Sequence, residues 1–236
     1  MTAAERLRAA GDPIGDVYLT RDEIAVRVAE LGRELAAAYA GLDPLLVAPL
    51  KSSAVFLADL SRALDVDHEL DVIELAPYGS GRRGGGVRLL KDLDRPIAGR
   101  DVLLVEDVVD TGLTLGFLTR SFVERRPASL AAVTLLDRPY RRLVDDIPLG
   151  HVGFTVPDEL FAGYGLGLEE RWRALPDLHL VVADELPAVI DAAYERGVLV
   201  RGIRGVALQV SPPFVITEDE LAETARVFGD ALDVAA

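Results

Sequence analysis

The sequence predicts an α/β protein: a mostly parallel sheet flanked by helices, with a small α/β lobe at the C-terminal end. Three observations predict it. Short apolar runs, LLVAP, LDVIELA, DVLLV and LAAVTLL, alternate with helical stretches of about a dozen residues, the rhythm of strands joined by crossover helices. Acidic and hydroxyl residues gather at the end of one run, in LLVEDVVDTGLTLG (Leu103 to Gly116), and an open parallel sheet binds ligands beyond its strand ends. Regular patterning then restarts after Pro176, once HVGFTV has closed the alternation.

The first helix expected follows VYLT. Thr20 and Glu23 form a capping box, and Ile24, Val28, Leu31 and Leu35 recur at spacings of four, three and four, one buried stripe. LLVAP, from Leu45, reads as a buried strand and AVFLADLSRAL, from near Ala54, as a helix. Leu70 to Ala76 is a second strand. From Tyr78 the chain runs YGSGRRGGG and then VRLL; glycines at that density lose much entropy on ordering and have no side chains to pack, which predicts a loop, mobile until something binds. DVLLV is the third strand, LGFLTRSFVERR the third crossover helix, Leu130 to Leu136 the fourth strand and HVGFTV a late one. Beyond Pro176 come a helix near Leu186 to Glu195, strands LVRG and VALQV, and a helix from about Glu218. Residues 1–178 are therefore expected as one domain and 179–236 as a helix-strand-strand-helix extension.

At 236 residues the chain can bury a substantial core, and its 50% hydrophobic content argues against disorder. With 25 basic and 39 acidic side chains the formal charge is -14, which argues against a nucleic-acid or anionic-membrane surface. Phosphate can still be held locally by backbone N–H groups and a metal ion. There is no cysteine, so disulfides and thiolate chemistry are excluded, and His68, His151 and His179 are too scattered for a zinc site. The opening MTAAERLRAAGDP lacks the apolar core of a secretion signal, and no run of about 18 apolar residues occurs; a cytoplasmic protein is expected.

Glu106, Asp107 and Asp110 pose the functional question, because carboxylates beside a buried strand are costly unless something requires them. Thr111, Gly112, Leu113 and Thr114 would present successive N–H groups and hydroxyls at a helix N-terminus, a phosphate cradle. Glu106 and Asp107 beside it suit vicinal hydroxyls, held directly or through Mg²⁺. Asp110, a turn further on, is placed to handle a proton. The plain alternative is a capped helix with solvated acids.

This stretch, EDVVDTGLT, resembles the diphosphoribosyl-diphosphate motif of type I phosphoribosyltransferases, and the chain is similar to their hypoxanthine-guanine branch. The likeness runs from about Val17 to Leu178 and includes DPLLVAPLKSSAVFLADLSRAL, Pro77 to Gly79, RRPASLAAVTLLDRPYRR and VGFTVPDELFAGYGL. It implies the type I phosphoribosyltransferase fold and Mg²⁺-dependent transfer from 5-phosphoribosyl 1-diphosphate to a small acceptor, in a homodimer or homotetramer. By this resemblance Glu106 and Asp107 hold the ribose hydroxyls with Mg²⁺ nearby, and Asp110 to Thr114 wrap the 5′-phosphate. Asp110 exchanges a proton with the purine nitrogen next to the one that bonds to ribose. Lys51 and Ser52 match the pyrophosphate loop, where the family has Leu-Lys-Gly and often a cis peptide, and Arg173 matches an arginine near the pyrophosphate. Tyr78 belongs to a mobile lid whose closure excludes water, and with Asp110 and Lys51 it makes up the implied catalytic set.

Departures from the family pattern gather around the base and the pyrophosphate. The purine-oxygen lysine falls on Arg138, and arginine's rigid fork differs from a point ammonium. The stacking aromatic falls on Leu160, with Phe161 one place later. The aspartate that contacts a second metal is Gly167, with Glu169 or Glu170 as substitutes after a local shift; the lid serine is Pro77 and the loop glycine Ser52. Retention of the ribose-5-phosphate half with change in the other half leads to the expectation of an unusual acceptor, purine-like or other, in specialised metabolism. Ordinary hypoxanthine or guanine salvage is one alternative, and a catalytically inactive sugar-phosphate or nucleotide-binding regulatory protein is another. On the missing carboxylate, transfer to hypoxanthine or guanine is expected to be slow, and Gly167→Asp to raise it provided the loop reaches the metal and tolerates a side chain. The stretch from AAYERG to GDAL resembles the C-terminal tail of class III pyridoxal-phosphate aminotransferases, without that family's cofactor-lysine region. A packing lobe is the plain reading, with Arg201 and Arg204 as surface ion-pairing residues or as contacts to an acidic substrate.

Overall fold

The computed structural model describes residues 1–78, 86–168, 170–182, 186–203, 207–209 and 216–233. In chain order its elements are α1 (Ala3–Ala9), β1 (Ile14–Leu19), α2 (Arg21–Ala38), β2 (Leu45–Leu50), α3 (Ala54–Ala63), β3 (Glu69–Tyr78), β4 (Gly86–Lys91), β5 (Asp101–Val109) and α4 (Leu113–Val123). There follow β6 (Ser129–Asp137), a 3₁₀ turn at Pro139–Arg141, β7 (Leu149–Thr155), β8 (Phe161–Ala162), β9 (Leu178–Val181), α5 (Leu186–Glu195), β10 (Arg201–Ile203), β11 (Ala207–Gln209) and α6 (Glu218–Leu232).

By compactness these residues form two units, Tyr18–Asp158 with Ala162–Leu178, and Met1–Val17 with Glu159–Phe161 and His179–Ala236. A single cut after Leu178 does not separate them. The first unit holds a six-stranded sheet of order β4-β3-β2-β5-β6-β7, parallel except for the antiparallel edge pair β3–β4. This is the mostly parallel α/β architecture expected. β2 and the middle of β5 are buried on both faces, so they read as continuous apolar runs rather than alternating ones. Val47, Ile73, Val102 and Leu104 form part of the core there with Leu115, Leu118 and Phe122 of α4. α2 buries Ile24, Val28, Leu31 and Leu35, the stripe its spacing predicts, and Thr20 and Glu23 cap its start reciprocally.

Several elements differ from expectation. VRLL, to which the sequence pattern assigns no element, lies in β4, whose residues pair with β3, and β3 runs on to Tyr78, whose backbone pairs with Gly86. Residues 79–85, the centre of the glycine-rich stretch, lie outside the described residues. α4 starts two residues before LGFLT because Gly112, in the left-handed region at φ +78°, turns the chain directly into it. In the second unit α5 and α6 share a small core of Val189, Ala192, Ala193 and Ala231, and β10 pairs antiparallel with β11. Arg204 and the SPPF stretch lie outside the described residues. Among the described residues no helix is long and apolar enough to cross a membrane.

Candidate active site

β2 and β5 run side by side, Leu45–Val47 opposite Val102–Leu104, so both leave the sheet at the same edge. The chain moves outward from β2 to β3 and β4, returns to β5 beside β2, and then moves outward the other way through β6 and β7. That reversal is the switch point at which an open parallel sheet takes its ligand. The loop after β2 carries Lys51, Ser52 and Ser53; the end of β5 carries Glu106 and Asp107.

Neighbours along a strand point to opposite faces, and Glu106 and Asp107 have different surroundings. Asp107 Oδ1 accepts a hydrogen bond from Ser53 Oγ at 3.0 Å, and the Asp107 N–H donates to the same hydroxyl at 3.2 Å. Ser53 is fully buried and stands at the start of α3 without capping it. Glu106 Oε1 is buried and has no hydrogen-bond partner among the described residues. Burial, and after it the Asp107 charge, pushes Glu106 well above the ordinary carboxylate range; burial also raises Asp107, opposed by the Ser52 and Ser53 hydroxyls and by backbone N–H groups. A buried carboxylate oxygen with no partner fits a ligand that brings hydroxyl donors or a cation. Mg²⁺ suits this donor set, since it takes one or two carboxylates and completes its shell with ligand oxygens and water. No cluster of three or more His, Asp or Glu that would hold a metal without such a ligand occurs among the described residues.

Glu106 lines a small cavity of about 80 Å³ together with Asp110, Thr111, Gly112 and Thr114. The turn between β5 and α4 is fixed from below by the segment after β6. Thr111 O accepts from the Leu143 N–H at 2.9 Å and the Val144 N–H at 3.3 Å, and a Cβ on Gly112 would stand 3.0 Å from Val144 O. Thr111 to Thr114 are thereby brought together at the N-terminus of α4, where helix geometry leaves amide groups open to an anion.

Asp110 sits between two arginines. Arg141 Nε lies 3.1 Å from its Oδ1 and Arg138 Nη1 3.7 Å from its Oδ2. Arg138 is buried, and Arg141 also reaches Asp158 at 2.8 Å. Sequence reasoning singled out Arg138 and missed Arg141; its only signal was the RR of PYRR, an arginine pair that reads as surface charge. Ser53 was missed too, because a serine before a helix reads as a cap.

Opposite this turn, the Leu50–Lys51 peptide bond is cis, as the resemblance implies. Lys51 Nζ lies 2.9 Å from Glu170 Oε2; Arg173 donates from Nη1 to Gly165 O at 2.9 Å and from Nη2 to Glu170 Oε1 at 3.4 Å. Gly165, at φ +94°, presses on the Lys51 loop so closely that a Cβ would stand 2.3 Å from Ser52 O. At Gly167 a Cβ would stand 2.2 Å from Arg171 O, so a side chain enters only if the backbone moves. Gly167→Asp raises activity only if the loop admits a side chain, and this geometry does not meet that condition. Of the two substitutes considered, Glu170 stands on Lys51 and Arg173, and Glu169 lies outside the described residues. Leu160 is half-buried and Phe161 buried, both in the second unit.

Residues 16–159 match the model of the phosphoribosyl transferase domain family. The chain is 46% identical over 169 residues to a hypoxanthine-guanine phosphoribosyltransferase of Mycobacterium avium, covering 69% of this chain and 83% of that one. It is 44% identical over 170 residues to a hypoxanthine phosphoribosyltransferase of Escherichia coli, covering 71% and 95%. Among solved structures, a hypoxanthine-guanine phosphoribosyltransferase from Bacillus anthracis superposes with a TM-score of 0.66 at 40% identity, covering 72% of this chain and 99% of that one. The Trypanosoma cruzi hypoxanthine phosphoribosyltransferase in complex with the product IMP does so with a TM-score of 0.67 at 35% identity, covering 72% and 95%. With the strand-end carboxylates, the helix-start turn and these matches in agreement, the chain belongs to the type I phosphoribosyltransferases, in their hypoxanthine-guanine branch.

Proposed function

We propose that the protein is a purine salvage enzyme that joins hypoxanthine or guanine to the phosphoribosyl group of 5-phosphoribosyl 1-diphosphate. The observation that carries the proposal is the pairing of Glu106, whose buried Oε1 has no hydrogen-bond partner among the described residues, with the α4 turn in one small cavity, a fit to ribose hydroxyls beside a 5′-phosphate. The relatives favour the ordinary purines over the unusual acceptor expected from Arg138, Leu160 and Gly167, since proteins 44% and 46% identical carry those names.

In this proposal Thr111 to Thr114 bind the 5′-phosphate through backbone N–H groups and hydroxyls. Glu106 and Asp107 hold the ribose, Asp107 being kept in place by Ser53. Asp110, oriented by Arg141, exchanges the proton of the purine ring as the bond from the sugar to the base forms and the bond to diphosphate breaks. Arg138 donates to the purine oxygen, and Lys51 and Arg173 receive the diphosphate. Glu106 and Asp107 would hold Mg²⁺, which supplies positive charge against the departing diphosphate.

The test is steady-state turnover with hypoxanthine, guanine and a panel of other nitrogen acceptors. Turnover of one of the two purines in the ordinary range of about 1–10³ s⁻¹ is expected. Efficient transfer to a different acceptor with neither purine used would overturn the proposal.

A further inference from the structure

Three features of the loop Gly165–Arg173 are independent of one another. The Glu170 carboxylate bridges two cations from separate parts of the chain, Lys51 at 2.9 Å and Arg173 at 3.4 Å. Glu170 and Trp172 both lie in the left-handed region, at φ +65° and +67°, a conformation that non-glycine residues hold only when their surroundings impose it. Arg173 Nε is buried and has no hydrogen-bond partner among the described residues, so this guanidinium has donor capacity that Glu170 does not use.

The tight turn explains the placement. The Arg171 N–H donates to Leu168 O at 2.9 Å, and the Arg171 carbonyl comes so near Gly167 that no Cβ fits between them. Gly167 is therefore what the turn requires, and the turn is what carries Glu170 back over Lys51. The sequence change that removes a carboxylate at position 167 and the geometry that delivers one from position 170 belong to one local structure.

We propose that Glu170 is an internal counter-anion of the diphosphate subsite: it occupies Lys51 and Arg173 in the absence of ligand and must swing away when a diphosphate binds. The proposal rests on the assignment of Lys51 and Arg173 to diphosphate given above. Both Lys51 and Glu170 are more than half exposed, so their pair is screened by water and salt and is readily exchanged for a dianionic group. An exchange of this kind sets how tightly free pyrophosphate is held, and so how readily it leaves after transfer.

Calorimetric titration of wild type and Glu170→Gln with inorganic pyrophosphate in chelator, and separately with guanosine monophosphate, tests the proposal. Glu170→Gln is expected to bind pyrophosphate roughly two- to tenfold tighter, the scale of one or two exposed ion pairs, with the gain shrinking as salt rises. Monophosphate affinity should be the same in both proteins. Unchanged or weaker pyrophosphate binding in the variant overturns the counter-anion role; weaker binding would make the carboxylate a contributor to the subsite instead. Loss of monophosphate binding by the wild type would strike the functional assignment itself, which keeps the two failures apart. Glu170→Ala, on the same exposed position, must reproduce the direction of the change.

Discussion

Glu106 is held well above its ordinary value of 4.5 by burial first and by Asp107 second, and its free oxygen has no partner among the described residues. Because its folded value exceeds the unfolded one, its contribution to stability is intact below about pH 4.5 and is lost as pH rises towards the folded value. Glu106→Gln should therefore stabilise the ligand-free protein at pH 8 by about 1–3 kcal/mol and leave it unchanged near pH 4.5, while weakening nucleotide binding. Thermal melts of both proteins across that range check it, and a variant equally unstable at both ends would refute it. Asp110→Asn makes a different prediction: kcat/KM should fall by about 10²–10⁴, the usual worth of a positioned acid-base group. Glu106, Asp107 and Asp110 were legible in the sequence because carboxylates at the end of an apolar run violate a general rule. Ser53 and Arg141 were not, since a serine before a helix and an arginine in a polar turn violate none; only the distances to Asp107 and Asp110 reveal them.

At the scale of elements, the loop Gly165–Arg173 is locked by two glycines. Gly165→Ala would force an alanine into φ +94° and its methyl into Ser52 O, so a loss of about 1–3 kcal/mol or more is expected, read from the urea midpoint. Pyrophosphate affinity should fall with it and monophosphate affinity should not, because the α4 turn is buttressed separately by Leu143 and Val144. Gly167→Asp is now expected to lower turnover; a rise would show that the turn at Arg171 yields easily. α2, β2, β5 and β6 were readable because a helical stripe or a buried apolar run is a strong local signal. β4 was not, because its residues alternate between half-buried and exposed at an edge and follow a glycine run that reads as loop. α1 and β1 were missed for a similar reason: one is seven residues long, and the other buries only Ile14 fully.

For the whole molecule, the solved relatives are nearly used up by about seven tenths of this chain, and the residues given roles in the proposed function fall in the unit Tyr18–Asp158 with Ala162–Leu178. We propose that residues beyond Val182 form an accessory lobe; a chain ended there should keep its affinity for guanosine monophosphate, measured by calorimetry. Loss of that affinity with the fold intact would give the lobe a direct part in the site. The overall α/β class was legible because it follows from the succession of elements, whereas the grouping of Met1–Val17 with His179–Ala236 depends on pairings across the length of the chain that no local pattern records. The adjacency of β2 and β5 also has a kinetic side. The hydrogen bond from Ser53 to Asp107 spans 54 positions, and that separation must be closed before either strand end has its neighbour. Contacts of such long range form slowly, because the entropy of closure precedes any reward from packing. During refolding, helix signal should therefore recover first, and the ability to bind nucleotide should lag behind it. Until β2 and β5 meet, the chain has helices and strands but nowhere to put a ribose.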